Sequence, residues 1–274
     1  MSMNSTRRKL AIATWSAPSA GNIYGKLTLD AEPALKYIAE VREKTGERVT
    51  ITHFVGKAVA MALAATPGLN GRIRWSRFIP HDTVDIAFLV VLEGGADLAK
   101  AKVTELDKKP LSAVGQELRE LAEKLREGKD KEFESSKSLL KLLPQFLIGP
   151  ILWLTGFLTG SLGISAAGLT KFPFGSAVIT SVGMFGLDEG FAPFTPFARV
   201  PLLVLVGAYT DRPTVVDGAV AIQKQVTLTA TIDHRFIDGS AGGKLANTIR
   251  GVFADPWSTM GPADGTPKQL PAPE

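Results

Sequence analysis

The stretch Ile232-Asp-His-Arg-Phe-Ile-Asp-Gly-Ser240 joins a strand pattern to a helix pattern. Before it, residues 225–233 alternate apolar side chains with threonines, which is typical of a strand with one buried face. After it, apolar residues recur at helical spacing over residues 239–253. His234 thus stands at a junction where an imidazole can be exposed, while Asp238 and the next glycine shape the turn into the helix. A lone histidine beside an aspartate N-cap is often structural, so this stretch alone leaves both interpretations open.

Over the rest of the chain, strand and helix patterns occur without a strict alternating repeat. Alternation or apolar runs predict further strands, and apolar residues three and four apart predict helices. The predicted strands are residues 24–30, 83–92, 177–182 and 201–209, and the predicted helices are residues 31–45, 52–65 and 112–128. Thr52 and Ser112 are predicted as N-caps, and Gly46 and Gly128 as helix ends. This mixture favours a single α+β domain with a mixed sheet.

Composition excludes several classes of site. The chain has 274 residues, a net charge of +4 and no cysteine, which excludes thiol nucleophiles, disulfides and cysteine-ligated metals. The three histidines lack the spacing of metal ligands, so no metal site is predicted, and His53 and His81 are interpreted as surface or helix-start residues. No basic stripe interleaved with aromatics is present, so nucleic acid is not a predicted partner. The first 15 residues do not form a secretory signal, and we expect a cytoplasmic protein.

Residues 142–170 contain no charged residue, although lysines flank them on both sides. Because Gly149 and Pro150 lie near the middle, we expect residues 138–170 to form a bent or hairpin pair of short helices. The stretch is long enough to cross a bilayer, but a single crossing would separate the first strands from His234, with which they share one domain. Three arrangements stay open, namely packing against neighbouring subunits, docking on a membrane surface, and a re-entrant hairpin.

The motif Asp233-His-Arg-Phe-Ile-Asp-Gly239 resembles the D-H-R-x-x-D-G signature of the 2-oxo-acid dehydrogenase acyltransferase catalytic domain. This is the dihydrolipoamide acyltransferase family, a relative of chloramphenicol acetyltransferase. Other segments resemble the family in the same order: Asp107–Lys129, Ile179–Gly186, Phe191–Pro196, Leu203–Gly207 and Val215–Gly218. The resemblance implies a chloramphenicol acetyltransferase-like mixed sheet sandwiched with helices, in a catalytic domain over residues 1–260. Residues 138–170 are its apolar insertion, and residues 261–274 are predicted to be a disordered tail.

The resemblance also implies an activity, which is acyl transfer between coenzyme A and a second thiol, such as dihydrolipoamide, or another acceptor. It implies a homotrimer with active sites between subunits. His234 would be the general base that takes and returns the thiol proton. The family's oxyanion serine aligns with Thr180, and Ser181 follows it, so a hydroxyl donor is retained. Asp238 would pair with Arg8 and hold the active-site loop in shape.

Two departures from the family bear on partners. The family's usual enzymes carry a lipoyl domain and a subunit-binding domain ahead of the catalytic domain, whereas here the match begins within the first dozen residues. We therefore expect no covalent lipoyl group on this chain, and a lipoyl domain acting as acceptor would come on another protein. The insertion at residues 138–170 is the candidate for joining trimers or contacting a membrane surface. An alternative function is a non-catalytic assembly or scaffold subunit, which Thr180 in place of serine and the missing lipoyl domain favour.

Overall fold

The computed structural model describes residues 21–92, 97–130 and 143–266. Within these ranges the strands are β1 Asn22–Asp30, β2 Gly71–Arg74, β3 Arg77–Pro80, β4 Ile86–Leu92, β5 Asp97–Val103, β6 Ala177–Ser181, β7 Leu202–Val216 and β8 Ala219–Asp233. The helices are α1 Glu32–Thr45, α2 Ile51–Ala65, α3 Leu111–Arg126, α4 Gln145–Gly156, α5 Gly239–Ala254 and α6 Pro256–Met260. Helix α4 continues into a π-helical segment, Phe157–Leu162, and we call the whole of Gln145–Leu162 the insertion helix.

Six of these strands form one mixed sheet in the order β1-β8-β7-β6-β4-β5. Strands β4, β6 and β7 run parallel, and the other neighbouring pairs are antiparallel. Strands β2 and β3 form a separate antiparallel hairpin. The predicted α+β class with a mixed sheet is confirmed.

Helices α1, α2, α3 and α5 pack on one face of the sheet and form the main core with it. Alternate residues of the central strands point into this core, and Ile179, Leu202 and Val204 are each 3% exposed or less. The helices meet through aromatic side chains, for example Phe54 and Phe253, whose ring centroids lie 5.0 Å apart. Burial of this apolar surface is the main stabilising contribution to the fold.

The opposite face of the sheet is covered by the chain that crosses it before β7, residues 186–200. The hydroxyl of Thr229 donates to the carbonyl of Gly190, and that of Thr231 donates to the carbonyl of Ala192 at 2.7 Å. The threonine alternation in β8 therefore belongs to a covered face, where loop carbonyls accept from Thr229 and Thr231, whereas the buried Thr227 hydroxyl has no hydrogen-bond partner among the described residues.

Two predicted helix starts are wrong by one or two residues. Helix α2 begins at Ile51 after Thr50, whose backbone is extended at φ −131° and ψ 168°, so Thr52 lies inside the helix. Helix α3 begins after the extended Pro110, so Ser112 also lies inside it. The reason is that the backbone conformation of the preceding residue sets the start, and a hydroxyl-bearing residue marks it only approximately. Both helix ends agree with prediction, because Gly46 and Gly128 adopt positive φ.

Several elements were not predicted from the sequence. Strands β2 and β3 are four residues each and carry three arginines, and β5 places lysines between small alanines, so none has a strong apolar alternation. Strands β7 and β8 are longer than predicted and form a hairpin at Val215–Gly218, where Asp217 and Gly218 have φ of 49° and 83°. The hairpin itself is at the predicted position.

The structure describes the apolar insertion from residue 143 onward and part of the tail. Over residues 143–170 the chain forms one continuous helix, Gln145–Leu162, with Pro150 inside it, and residues 138–142 of the predicted helical pair lie outside the described residues. The predicted disordered tail is wrong for residues 261–266, where Ala263 is buried and the Tyr37 hydroxyl donates to the Gly261 carbonyl at 3.1 Å. Residues 267–274 lie outside the described residues.

Candidate active site

His234 follows the last strand of the sheet and is exposed. Its backbone N–H donates to the carbonyl of Gly21 at 3.0 Å, and its ring Nδ1 lies 2.5 Å from the carbonyl oxygen of Ile237. Because a carbonyl only accepts, this contact requires the proton on Nδ1 and leaves the lone pair on Nε2. The turn therefore fixes the neutral tautomer in which Nε2 is able to take a proton.

The turn after His234 is held by two aspartates. Asp233 accepts from the guanidinium of Arg235, with Nε 3.0 Å from each carboxylate oxygen. Asp238 is the N-cap of α5, and its Oδ1 accepts from the backbone N–H of Ala241 at 2.9 Å. Both contacts shape the loop that carries the imidazole. Arg8, the predicted partner of Asp238, lies outside the described residues, so that pairing stays a prediction.

Thr180 and Ser181 end β6 and are both partly buried. Because strand residues alternate between faces, the two hydroxyls point to opposite sides of the sheet. Ile179 belongs to the main core and Val178 to a second cluster on the other face, so Thr180 shares the covered face and Ser181 the helix side. The two hydroxyls are therefore not interchangeable donors to one site.

His234 and Thr180 are far apart within one chain. The sheet register aligns Ile232 with Leu202 and Leu202 with Ala177, so His234 lies two residues beyond the end at which β6 begins, whereas Thr180 lies three residues inside it. With one strand, β7, between them, the usual spacings along and across strands place their Cα atoms roughly 20 Å apart. One chain thus does not bring the predicted base and oxyanion donor together, and a site that contains both needs two copies.

The β2–β3 hairpin packs beside the His234 loop. Phe78 of β3 meets Phe236 edge to face, with ring centroids 6.1 Å apart. The sequence analysis missed this neighbour because the hairpin itself was not predicted. This contact restrains the loop from the side on which the insertion helix also lies, since that helix touches the same hairpin through Phe157 and Trp75.

A polar cavity of ≈ 160 Å³ opens where β4 and β6 begin. Its charged and titratable lining residues are Arg72, His81, Asp82, Asp85, Lys102 and Lys171. Burial, and then the nearby Arg72, lower the pKa of His81 to about 4. His234 does not line this cavity, so the cavity is separate from the candidate site.

The two other histidines do not take part in the site. His53 lies in the first turn of α2, where burial and then Arg42 lower its pKa to about 4. His53 therefore lies at a helix start, which is one of the two interpretations made from the sequence, and both His53 and His81 are partly buried. In the described part of the chain, no group of three histidine, aspartate or glutamate side chains is placed to hold a metal ion.

Comparison with known proteins agrees with this arrangement. Residues 1–140 and 168–261 match the family model described as 2-oxoacid dehydrogenases acyltransferase (catalytic domain). The dihydrolipoyllysine-residue acetyltransferase component of the pyruvate dehydrogenase complex of Zymomonas mobilis is 25% identical over 250 residues, which are 90% of this chain and 48% of that protein. The chain therefore spans about half the length of the curated relatives it matches.

Solved structures show the same fold at low sequence identity. A probable dihydrolipoamide acetyltransferase from Listeria monocytogenes has a TM-score of 0.66 at 21% identity and covers 93% of each chain. A chloramphenicol acetyltransferase has a TM-score of 0.50 at 12% identity, covering 90% of this chain and 94% of that one. The predicted chloramphenicol acetyltransferase-like fold is thus confirmed. Because the family model matches most of its length, the chain belongs to the family of 2-oxoacid dehydrogenase acyltransferase catalytic domains.

Proposed function

We propose that this chain is the catalytic domain of a coenzyme A-dependent acyltransferase, which moves an acyl group between coenzyme A and a second thiol such as dihydrolipoamide. The observation that carries the proposal is His234, whose Nδ1 contact with Ile237 leaves Nε2 as an exposed base. In this proposal coenzyme A is a substrate, and a lipoyl domain would deliver the second thiol.

In the proposed mechanism, His234 and Thr180 catalyse a thioester exchange. Nε2 of His234 takes the proton of the attacking thiol, and the thiolate sulfur forms a bond to the thioester carbonyl carbon. The negative charge that develops on the carbonyl oxygen is stabilised by the hydroxyl of Thr180 from a second copy. The carbon–sulfur bond to the leaving thiolate then breaks, and the imidazolium returns its proton to that sulfur. One thioester is thereby exchanged for another without net oxidation.

The proposed assembly is a homotrimer with its sites between copies. The separation of His234 and Thr180 within one chain supports it, because the two groups meet only if different copies contribute them. Higher assembly of trimers and a cytoplasmic location stay predictions. No observation on the described residues favours the alternative of a scaffold subunit without activity.

A thiol-release assay tests the proposed function. The purified protein is mixed with short-chain acyl-CoA donors and free dihydrolipoamide, and release of the coenzyme A thiol is followed. We expect turnover that falls on the order of 100-fold or more in His234→Ala, because acid–base catalysis is lost. The variant should keep the circular dichroism spectrum and solution mass of the unaltered protein. Unchanged turnover in a folded His234→Ala protein would contradict the proposal.

A further inference from the structure

The insertion helix exposes apolar side chains to solvent. A surface helix usually turns its polar face to water and its apolar face to the core. Here, after the exposed Gln145 at the helix start, the exposed side chains are apolar, with Phe146 76%, Trp153 60% and Leu154 50% exposed. These positions are separated by seven and eight residues and therefore form one stripe along the helix. Residues 141–167 also lie outside the family match, so the family model does not account for this surface.

The opposite side of the helix is fixed against the domain by small and polar residues. A Cβ atom at Gly156 would lie 2.5 Å from the carbonyl oxygen of Phe197, so no larger residue fits there. Arg199 donates to the hydroxyl of Ser161 at 3.0 Å, and Arg72 donates to the Ser161 carbonyl at 3.2 Å. Rotating the helix to hide its apolar stripe would break these contacts. The stripe is therefore held outward.

The β2–β3 hairpin extends the apolar stripe sideways. Trp75 lies at its turn, is 71% exposed, and meets Phe157 edge to face at 6.0 Å. Phe157 in turn stacks on Trp153, with ring centroids 5.6 Å apart and planes at 4°. We call Trp75, Phe146, Trp153, Leu154 and Phe157 the aromatic patch. A contiguous apolar surface of this kind marks an interaction site.

The charges beside the aromatic patch are positive. Arg74 and Arg77 flank Trp75 on the hairpin and are exposed, and residues 71–80 contain no acidic residue. Residues 142–170 carry no charge, and Lys171 follows them. Tryptophans with apolar neighbours, bordered by arginines, match the boundary of an anionic bilayer, where aromatic rings sit at headgroup level and basic side chains meet lipid phosphates.

We propose that the aromatic patch docks on an anionic lipid surface, with the insertion helix lying along the membrane plane. The helix is long and apolar enough to cross a membrane by length and composition. Crossing would remove the contacts of Gly156 and Ser161 with the domain, whereas lying on the surface keeps them. Docking in this way places the folded domain, with the His234 loop, at the membrane surface. The inference does not depend on the proposed acyl transfer.

Vesicle flotation tests the inference without any measurement of catalysis. The protein is mixed with vesicles of phosphatidylcholine alone, or of equal parts phosphatidylcholine and phosphatidylglycerol, and centrifuged through a density gradient. We expect flotation with the anionic vesicles that weakens as salt is added, and much less flotation with the neutral ones.

Paired variants distinguish the contribution of the aromatic patch to vesicle binding from that of the rest of the surface. Leu154→Gln should lower vesicle partitioning about fivefold and Trp153→Gln about tenfold, because apolar area is lost from the buried face. Leu98→Gln is the matched control, since Leu98 is 44% exposed on the edge strand β5, away from the patch. The double reversal Arg74→Glu with Arg77→Glu should lower partitioning about tenfold or more.

A second control keeps the net charge matched. Arg48→Glu with Arg126→Glu changes the charge equally at exposed positions outside the patch and should leave flotation unchanged. Failure of the unaltered protein to float with anionic vesicles would overturn the inference. Equal flotation of the patch variants and their controls would overturn it as well. A particle that shrinks in Trp153→Gln, with no flotation at all, would show that a second copy covers the patch instead.

Discussion

At the scale of single residues, the face on which a hydroxyl lies decides whether it serves the site. Thr180 shares the covered face of the sheet with Val178, whereas Ser181 points toward the helices. We expect Thr180→Val to cost about 2–4 kcal/mol of transition-state stabilisation, because it removes the proposed oxyanion donor and keeps the shape. Thr180→Ser should retain activity, and Ser181→Ala is the control expected to change it little. Steady-state thiol release checks these values, and a harmless Thr180→Val would assign the donor to another group.

Two partly buried histidines make stability depend on pH. Burial lowers the pKa of His53 and of His81 to about 4, whereas the ordinary value is 6.5. Between pH 6.5 and pH 4, the unfolded chain binds protons that the folded chain does not, so the free energy of unfolding falls as the pH falls. Denaturant unfolding at several pH values should show this slope. In His53→Gln, the number of protons taken up on unfolding, which sets this slope, should fall by about one, since glutamine does not titrate. An unchanged slope in this variant would contradict the assigned environment.

At the scale of elements, the insertion helix depends on close approach at one glycine. Gly156→Ala places a Cβ 2.5 Å from the carbonyl oxygen of Phe197 and should destabilise the fold by about 1–3 kcal/mol. Gly243→Ala is the matched control, because α5 has open space at that position. That change should stabilise by about 0.5–1 kcal/mol, since alanine is the better helix former. Chemical denaturation measures both, and effects of the same sign would contradict the packing described.

The elements themselves differ in how well the sequence predicts them. Helix α1 and its Gly46 end, and the hairpin turn at Asp217, follow from residues close in sequence, where spacing and a positive φ are local properties. Strand β5 escapes prediction because alanines fill two of its three buried positions, and alanine has a low β propensity, so that pairing with β4 is what makes the segment a strand. Local patterns therefore predict elements with strong periodicity, and partners decide the weak ones.

At the scale of the whole molecule, a site shared between copies allows complementation. His234→Ala chains keep Thr180, and Thr180→Val chains keep His234, so a mixed trimer contains one intact site. Random mixing of equal amounts should restore about a quarter of the unaltered activity, since three quarters of trimers are mixed and one site in three is intact. Co-expression followed by the thiol-release assay measures this. Activity no greater than the mean of the two separate variants would contradict a site between copies.

The sequence by itself determined the family and the turn that presents His234, because the motif from Asp233 to Gly239 is contiguous and its turn is held by short-range contacts. It also determined the mixed α+β class, because the apolar periodicity of each element is a property of residues close in sequence. It did not determine that Thr180 lies roughly 20 Å from His234 in the same chain, because that separation is set by the order and register of strands distant in sequence.

Which face of the insertion helix points outward was likewise decided only by the tertiary structure. Composition shows an uncharged apolar segment but not which side it buries. Gly156 and Ser161 fit against the domain, and this fit turns Trp153 outward. The physical reason is that packing selects the helix face that allows the closest approach, and that face is known only once its neighbour is in place.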